Sequence, residues 1–353
     1  MTVGRVIIVG GGVAGTATAL ALHRAGIPAE VHEAHAAGGA DAGAFLTLMG
    51  NGMAALAEIG ATAAVEAVSY PAPTVTLWDA AGQQVGHRPI AGGARSITRA
   101  ALYRALQQLA TERGIPVRHG RRMTSAASRA DGVEVAFTDG TTVTGDVLVG
   151  ADGIRSRTRR LIDPAAPEPR FSGGHVIYGY APGNPAGVGP DGFHMVHGSR
   201  AFFGFTAPGG DGRTWWFARV DGGQPGDSPA SWRDRALDVC RDDATPLTAI
   251  ITASGTDVIG GESYDIPTTP HWHNERMVLA GDAAHATTPA AAQGASMALQ
   301  DAVALAGALG EHGDPAAAFT AYENLRRTET EQTVAASARL TASKSVAPPD
   351  PAA

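Results

Sequence analysis

The run Gly10-Gly11-Gly12-Val13-Ala14-Gly15 constrains this chain more than any other feature of its sequence. It follows Val6-Ile7-Ile8-Val9, a continuous apolar run that reads as a short strand buried on both faces, and it leads into a helix pattern over 16–25. Gly26-Ile27-Pro28 stops that helix, and 29–33 reads as a second strand. A strand–helix–strand unit with such short connections favours a parallel sheet. In the turn, Gly10 permits the tight bend, Gly12 lets a pyrophosphate approach the backbone, and Gly15 lets the helix lie close to the strand. The first helical residues, Val13 and Ala14, bring unpaired N–H groups, and the helix start carries about half a positive charge toward a phosphate. Glu33, at the end of the second strand, can accept both hydroxyls of an adenosine ribose and would repel a 2′-phosphate. Glu30 falls nearer the strand start and suits that role less. The first nucleotide is therefore expected to be FAD or NAD rather than NADP.

Beyond this unit the pattern predicts helices over 50–60 and 96–113, the latter with Leu102, Leu106 and Leu109 at helical spacing. A hairpin is expected where 74–78 and 83–88 flank Asp79-Ala80-Ala81-Gly82. Short strands are expected at 116–119, 132–138 and 141–144. The apolar strand 146–149 runs into Gly150-Ala151-Asp152-Gly153. From about 171 to 266 the pattern is mostly antiparallel, with strands at 175–180, 193–197, 201–206 and 213–220 and a helix over 232–241. Residues 276–280 return to a buried parallel-type strand before Ala-rich helices over 294–309 and 315–340. This divides the chain into a discontinuous nucleotide-binding domain (1–70, 95–170 and 267–345) and a β-rich substrate domain (71–94 and 171–266). A disordered tail over 346–353 is expected from Pro348-Pro349-Asp350-Pro351.

The net charge of −7, with no Lys/Arg run, gives no surface for nucleic acid or an anionic membrane. The one cysteine, Cys240, excludes an intrachain disulfide, a Cys-rich metal site and a dithiol redox centre. No apolar run reaches the ~20 residues of a membrane helix, and no secretory pattern precedes the first strand. A cytoplasmic protein, monomer or homodimer, is the expectation.

Two further signatures complete the set. One is Gly150-Ala151-Asp152-Gly153-Ile154-Arg155-Ser156-Arg157. The other is Gly281-Asp282-Ala283-Ala284-His285 after Met277-Val278-Leu279-Ala280, continuing through Pro289 and Gln293-Gly294 toward Asp301. In this order and spacing the three signatures resemble those of the single-component (group A) FAD-dependent monooxygenases, the p-hydroxybenzoate hydroxylase-like flavoproteins. The resemblance runs to about Arg327. It implies an α/β fold: a Rossmann-like FAD-binding domain with an inserted antiparallel β-rich substrate domain and C-terminal helices. It implies FAD, with NADPH or NADH as transient co-substrate, molecular oxygen and a small-molecule substrate. A C4a-hydroperoxyflavin would hydroxylate or epoxidise a mostly apolar aromatic or alkene.

At matching positions the resemblance implies that Gly10, Gly12 and Gly15 cradle the FAD pyrophosphate and that Glu33 holds the ribose. Arg99 would face the phosphates or the flavin side. Asp152 belongs to a motif linked to both FAD and the nicotinamide coenzyme. Asp282 would hold the ribityl chain, Pro289 would lie beside the isoalloxazine, and backbone N–H groups at Gly294 and Ala295 would face the flavin N1–C2=O edge. A helix start there is also sound physics, because two-electron reduction leaves negative charge near N1. The chain departs from the family pattern at Ala292, where glycine is usual, and at Ser296 and Gln300, where Asn and Glu are frequent.

On the substrate side, strand alternation pairs Tyr178 with Tyr180, Phe203 with Phe205, and Trp215 and Phe217 with Arg219, each set on one face. These supply the candidate pocket residues Tyr178, Tyr180, Phe203, Phe205 and Arg219. His194 and His197 fall on opposite faces, so at most one enters the pocket, and no catalytic base is assigned. A non-redox FAD-binding cyclase and a flavin-dependent reductase or halogenase share the fold. The Trp-x-Trp-x-Ile run usual in halogenases is missing, and Trp215-Trp216 is not that pattern.

Overall fold

The strand Val6–Val9 is the middle strand of a parallel sheet: it pairs with Ala29–His32 on one side and Val147–Gly150 on the other. This is a computed structural model of the chain, and it describes residues 3–36, 44–190, 192–222, 224, 226 and 231–342. The expected tail at 346–353 lies outside the described residues. Met277–Leu279 and Val117–Arg118 extend the parallel sheet to five strands. Both faces are covered, which is why these strands read as unbroken apolar runs. Val6, Ile8, Val147 and Val149 point into a core shared with the helices Val13–Arg24, Arg99–Glu112 and Gly294–Glu311. Ile7, Val9, Leu148 and Met277 point the other way, onto a three-stranded antiparallel sheet of Met123–Arg129, Gly132–Phe137 and Thr142–Gly145. The period of two along one strand thus splits a single apolar run between two cores.

A seven-stranded sheet stands beside this unit in the order Val258–Asp265, Arg170–Pro182, Arg213–Asp221, Ala201–Thr206, Phe193–His197, Thr74–Asp79 and Gln84–Pro89. Its pairings are antiparallel except where Phe193–His197 meets Thr74–Asp79 in parallel. The hairpin read around Asp79–Gly82 is present, with Gly82 at φ +72°. One face of the sheet is sealed by the helices Trp232–Cys240 and Leu247–Ala253 through Ile177, Phe203, Phe205, Trp216 and Ala218.

Two sequence expectations need correction here. The helix read from 96 begins at Arg99, because Arg95–Thr98 is the middle strand of a small sheet between Phe45–Leu48 and Tyr70–Pro71. Thr98 ends that strand and caps the helix, its hydroxyl accepting from Ala101 N at 3.2 Å. Phe203 and Phe205, expected at the pocket, are buried on the helix-covered face. Register explains it: Phe202 sits opposite Arg219 and Phe203 opposite Ala218, so the face that carries Arg219 takes Phe202. Alternation shows which residues share a face, not which face is the pocket.

Candidate active site

The glycine turn is shaped by backbone approach. Gly10 has φ +105°, and a Cβ there would lie 2.1 Å from Ala151 O; one on Gly15 would lie 1.9 Å from Gly10 O. Neither position tolerates a side chain without moving a strand or the helix. Gly12 caps the helix Val13–Arg24 without any side-chain hydrogen bond, so its first amides are free to meet a ligand. Gly12, Val13 and Ala14 line a cavity of about 1600 Å³ that runs between the parallel-sheet unit and the seven-stranded sheet. One drug-sized ligand needs roughly 300–1,000 Å³. This space therefore suits a dinucleotide together with a second molecule.

Glu33 is buried beneath the turn, where Gly11 N donates to Oε2 at 2.6 Å and His35 N to Oε1 at 2.7 Å. Its carboxylate thus stands beside the glycine turn. Asp152 behaves differently. Ser156 Oγ, Arg157 N and the Thr158 amide and hydroxyl all donate to its carboxylate, which ties the loop to the helix Arg157–Ile162. The neighbours Gly153 and Arg155, rather than Asp152, line the cavity.

Further along, Gly281 adopts φ 62°, and a Cβ there would meet the Ala14 methyl at 2.7 Å. That close fit seats Asp282 in the cavity wall. Pro289 opens a short 3-10 turn, Pro289–Ala291, and Ala292 follows in the left-handed region at φ 52°, ψ 32°. The helix Gly294–Glu311 then starts with no side-chain cap, and Gly294 and Ala295 face the cavity. Two uncapped helix starts therefore open into one space. The residues noted as departures hold this second start in place. Met49 N donates to Ser296 Oγ at 3.2 Å, and Asn51 Nδ2 donates to Gln293 Oε1 at 3.0 Å and to Gln300 Oε1 at 3.1 Å.

Arg99 and Tyr103 lie one helical turn apart and both line the cavity. Burial works against the Arg99 charge, yet Tyr103, Tyr178 and Asp282 hold its pKa above the ordinary value. Burial raises the Tyr103 phenol. The far wall is aromatic. Tyr178 packs 6.4 Å from Phe217, Phe217 lies 6.0 Å from Phe202, and Phe45 stands edge-on to Tyr178 at 6.0 Å. Arg219 lies over the Phe202 ring at 4.2 Å. Tyr180 shares the face of Tyr178 and packs into a cluster with Phe45, Phe193 and Trp215, but Phe45 and Phe193 line the cavity while Tyr180 stands behind them. His197 enters the cavity, while His194 stacks on Phe205 at 4.8 Å and accepts from Trp78 Nε1. Burial and the nearby Arg219 lower the His197 pKa, which leaves a neutral imidazole at pH 7.

Sequence reasoning missed Phe45, Tyr103, Met195 and Phe202, which line the cavity from four separate segments. Helical spacing from Arg99 could have found Tyr103. Nothing local marks the others. It also missed the buried network behind the site. Asp301 takes His285 Nε2 at 2.6 Å and Gly281 N at 2.9 Å on one oxygen, and Arg326 Nε at 2.9 Å on the other. This ties three segments of the chain directly behind Asp282. No helix among the described residues is long and apolar enough to cross a membrane.

Comparison with known proteins agrees with this geometry. A protein-family profile described as "FAD binding domain" matches residues 4–337. An aurachin C monooxygenase/isomerase from Stigmatella aurantiaca is 30% identical over 343 residues, covering 95% of this chain and 88% of that protein. A 3-amino-4-hydroxybenzoate 2-monooxygenase from Streptomyces platensis is 33% identical, covering 91% of this chain and 84% of that protein. Among solved structures, Klebsiella pneumoniae HpxO complexed with FAD and uric acid superposes with a TM-score of 0.87 at 26% identity, covering 96% of this chain and 88% of that one.

Proposed function

The chain belongs to the group A FAD-dependent monooxygenases, the p-hydroxybenzoate hydroxylase-like flavoproteins, and from that premise we propose that it uses NADH or NADPH to insert one oxygen atom into a small, mostly apolar aromatic or alkene-containing substrate. One observation carries this reading: two uncapped helix starts, at Gly12 and at Gly294, open into the same cavity as an aromatic wall. The first suits a pyrophosphate, the second an anion that forms on reduction, and the wall suits a planar substrate.

The residues present fit FAD. The amides of Val13 and Ala14 would hold the pyrophosphate, close to a glycine turn that a Cβ would fill. Glu33 would accept the adenosine ribose hydroxyls. Arg99 would stand by the phosphates or the flavin, Asp282 would accept from the ribityl chain, and Pro289 would flank the ring. When bound, FAD supplies the redox chemistry by which one atom of O₂ reaches the substrate and the other leaves as water at the expense of NAD(P)H. The amides at Gly294 and Ala295, facing the cavity at an uncapped helix start, would stabilise negative charge on the reduced flavin by up to ~2 kcal/mol. Phe202, Phe217, Tyr178 and Met195 orient the substrate and keep water out of the reacting space. Asp152 acts on the site by setting its loop, and Gly153 and Arg155 are the groups of that motif placed to meet a ligand. In this division, 1–70, 95–170 and 267–345 hold the cofactor, and 71–94 with 171–266 cover it.

The test is direct. Anaerobic FAD-loaded protein is mixed with NADH or NADPH and a panel of phenols, aromatic acids and alkenes while the flavin band is followed. Oxygen is then admitted as ¹⁸O₂. Bleaching that depends on coenzyme, and a product heavier by one ¹⁸O atom, are expected. Conversion without coenzyme and without mass gain would replace this reading with a non-redox cyclase.

A further inference from the structure

We propose that the substrate is a ring carrying a hydrocarbon chain of several carbons, and that one arm of the cavity, from Phe217 to Leu77, holds that chain. The proposal rests on the reading of the cavity given above and names the class of molecule that enters it.

Strand register lays out the arm. Across the seven-stranded sheet Ile259 pairs with Tyr178, Tyr178 with Phe217, Phe217 with Gly204, Gly204 with Met195 and Met195 with Leu77. Direct cross-strand partners share a face, and the side chains of this row all line the cavity. Phe193 and Val75, paired with each other two residues back on the strands of Met195 and Leu77, line it as well. One end of the row lies by the cofactor. Arg219, Ser263 and Pro289 border one small void, which sets Pro289 against the strands Arg213–Asp221 and Val258–Asp265. The other end lies away from it. Leu77 stands three strands beyond Phe217 in the sheet order, roughly 14 Å at the usual spacing of neighbouring strands.

A glycine keeps the middle of that stretch low. A Cβ on Gly204 would lie 2.3 Å from the Phe217 ring and 2.9 Å from the Phe193 ring. The two rings, stacked at 6.3 Å, therefore settle over the glycine. Phe45, from the small sheet, lies 6.2 Å from Phe217 and 6.4 Å from Phe193, and Met49 and Ile90 also line the space. The row from Phe217 to Leu77 carries no charged side chain. Arg88 and Arg200 border the cavity as exposed residues, and Arg200 is paired with Asp238 at 2.7 Å. A lone ring beside Pro289 spans Tyr178 and Phe217. Covering Met195, Phe193 and Leu77 takes a further ~10 Å of apolar ligand. A contiguous apolar floor without a polar group gains from each methylene buried on it and offers nothing to a polar substituent.

The experiment reads binding, not turnover. FAD-loaded wild type, Met195→Trp and Leu77→Asn are titrated at pH 7 with 4-alkylphenols from methyl to hexyl, following perturbation of the flavin spectrum. Each methylene buried should tighten binding roughly twofold to fourfold, so wild type is expected to prefer 4-hexylphenol over 4-methylphenol by about thirtyfold or more. Met195→Trp, which puts a larger ring across the arm, should cut that preference by about fivefold or more, while flavin content shows that the protein has folded. Should it hold no flavin, Leu77→Asn decides, with a preference that shrinks severalfold because the far wall is polar. A smaller wild-type preference, an undiminished preference in the deciding variant, or no binding by any homologue up to its solubility overturns the proposal. Failure of coenzyme oxidation would sink the monooxygenase reading and leave these ratios unaffected, so the two can fail separately.

Discussion

At the scale of the residue, Ala292 is the sharpest anomaly. It is the only non-glycine residue with positive φ among the described residues, and it sits between Pro289–Ala291 and the helix start at Gly294. A Cβ in the left-handed region costs about 1–2 kcal/mol. The loop keeps the geometry because Gln293 and Ser296 are bonded to Asn51 and Met49 on the neighbouring segment. Ala292→Gly should therefore raise the stability of the FAD-loaded protein by about 1 kcal/mol, the relieved strain exceeding the added chain entropy. A urea midpoint that falls in this variant would contradict the strain. Glu33 and Asp282 make a second residue-scale prediction. Each would lose charge-assisted hydrogen bonds to FAD on substitution by alanine, worth ~1.5–3 kcal/mol apiece, or roughly a tenfold to hundredfold weaker affinity. Glu33→Ala should also lower apoprotein stability, because Gly11 N and His35 N lose their acceptor. Titration of apoprotein with FAD checks both, and unchanged affinity in the two variants would refute their placement.

At the scale of the element, Asp301 joins the helix Gly294–Glu311 to the Gly281 loop and, through Arg326, to the helix Pro315–Ala342. His285 is the titrating member near neutral pH. Burial opposes its charge, but Asp301 at 2.6 Å outweighs burial and raises its pKa above 6.5. The folded protein thus binds this proton more tightly than the unfolded chain. The stabilisation is complete below pH 6.5 and declines as pH rises through the higher folded value. Asp301 is shifted the other way: burial alone would raise its pKa, yet His285 and Arg326 hold it below 3.8. Its contribution is present above that pH and fades only in acid. The melting temperature should accordingly fall more steeply from pH 7 to 9 in wild type than in His285→Gln. Parallel slopes for the two proteins would remove the ion pair from the account of how the Asp282 loop is held.

At the scale of the whole molecule, the cavity draws its walls from the parallel-sheet unit, from the small sheet at Phe45–Leu48 and from the seven-stranded sheet. A ligand that fills it touches all three and binds the folded form alone. FAD at a hundred times its dissociation constant should then add about 2.7 kcal/mol, which for a chain of this size moves the melting temperature by roughly 4 °C. The shift should require the whole dinucleotide: ADP and riboflavin, each reaching one part of the cavity, should give less. Equal shifts from riboflavin alone would mean that the pyrophosphate turn contributes nothing. Acid precipitation should leave the flavin in the supernatant, since no cysteine faces the cavity and Cys240 is buried between the helices of the other sheet face.

What the sequence determined by itself is the part written in local backbone chemistry. Gly10 and Gly15 stand where a Cβ would collide with a carbonyl within a few residues or with the adjacent strand. The apolar runs at Val6–Val9, Val147–Gly150 and Met277–Leu279 are legible as parallel strands because both their faces are covered. The fold and the cofactor follow from those short stretches. What only the tertiary structure decided depends on which surfaces meet. Alternation groups Phe203 with Phe205, but the helices Trp232–Cys240 and Leu247–Ala253 bury that face and leave Phe202 to the cavity. Residues 95–98 look helical next to Arg99–Glu112 and become a strand because Phe45–Leu48 offers them a ladder. Asp152 reads as a ligand until the Ser156, Arg157 and Thr158 donors close around it. Arg219 reads as one more strand charge until the fold buries its Nε and Nη1 without a hydrogen-bond partner. Local sequence sets the torsions and the nearest contacts. Whether a side chain meets a partner, a helix or an open cavity is set by which segments the fold brings against it.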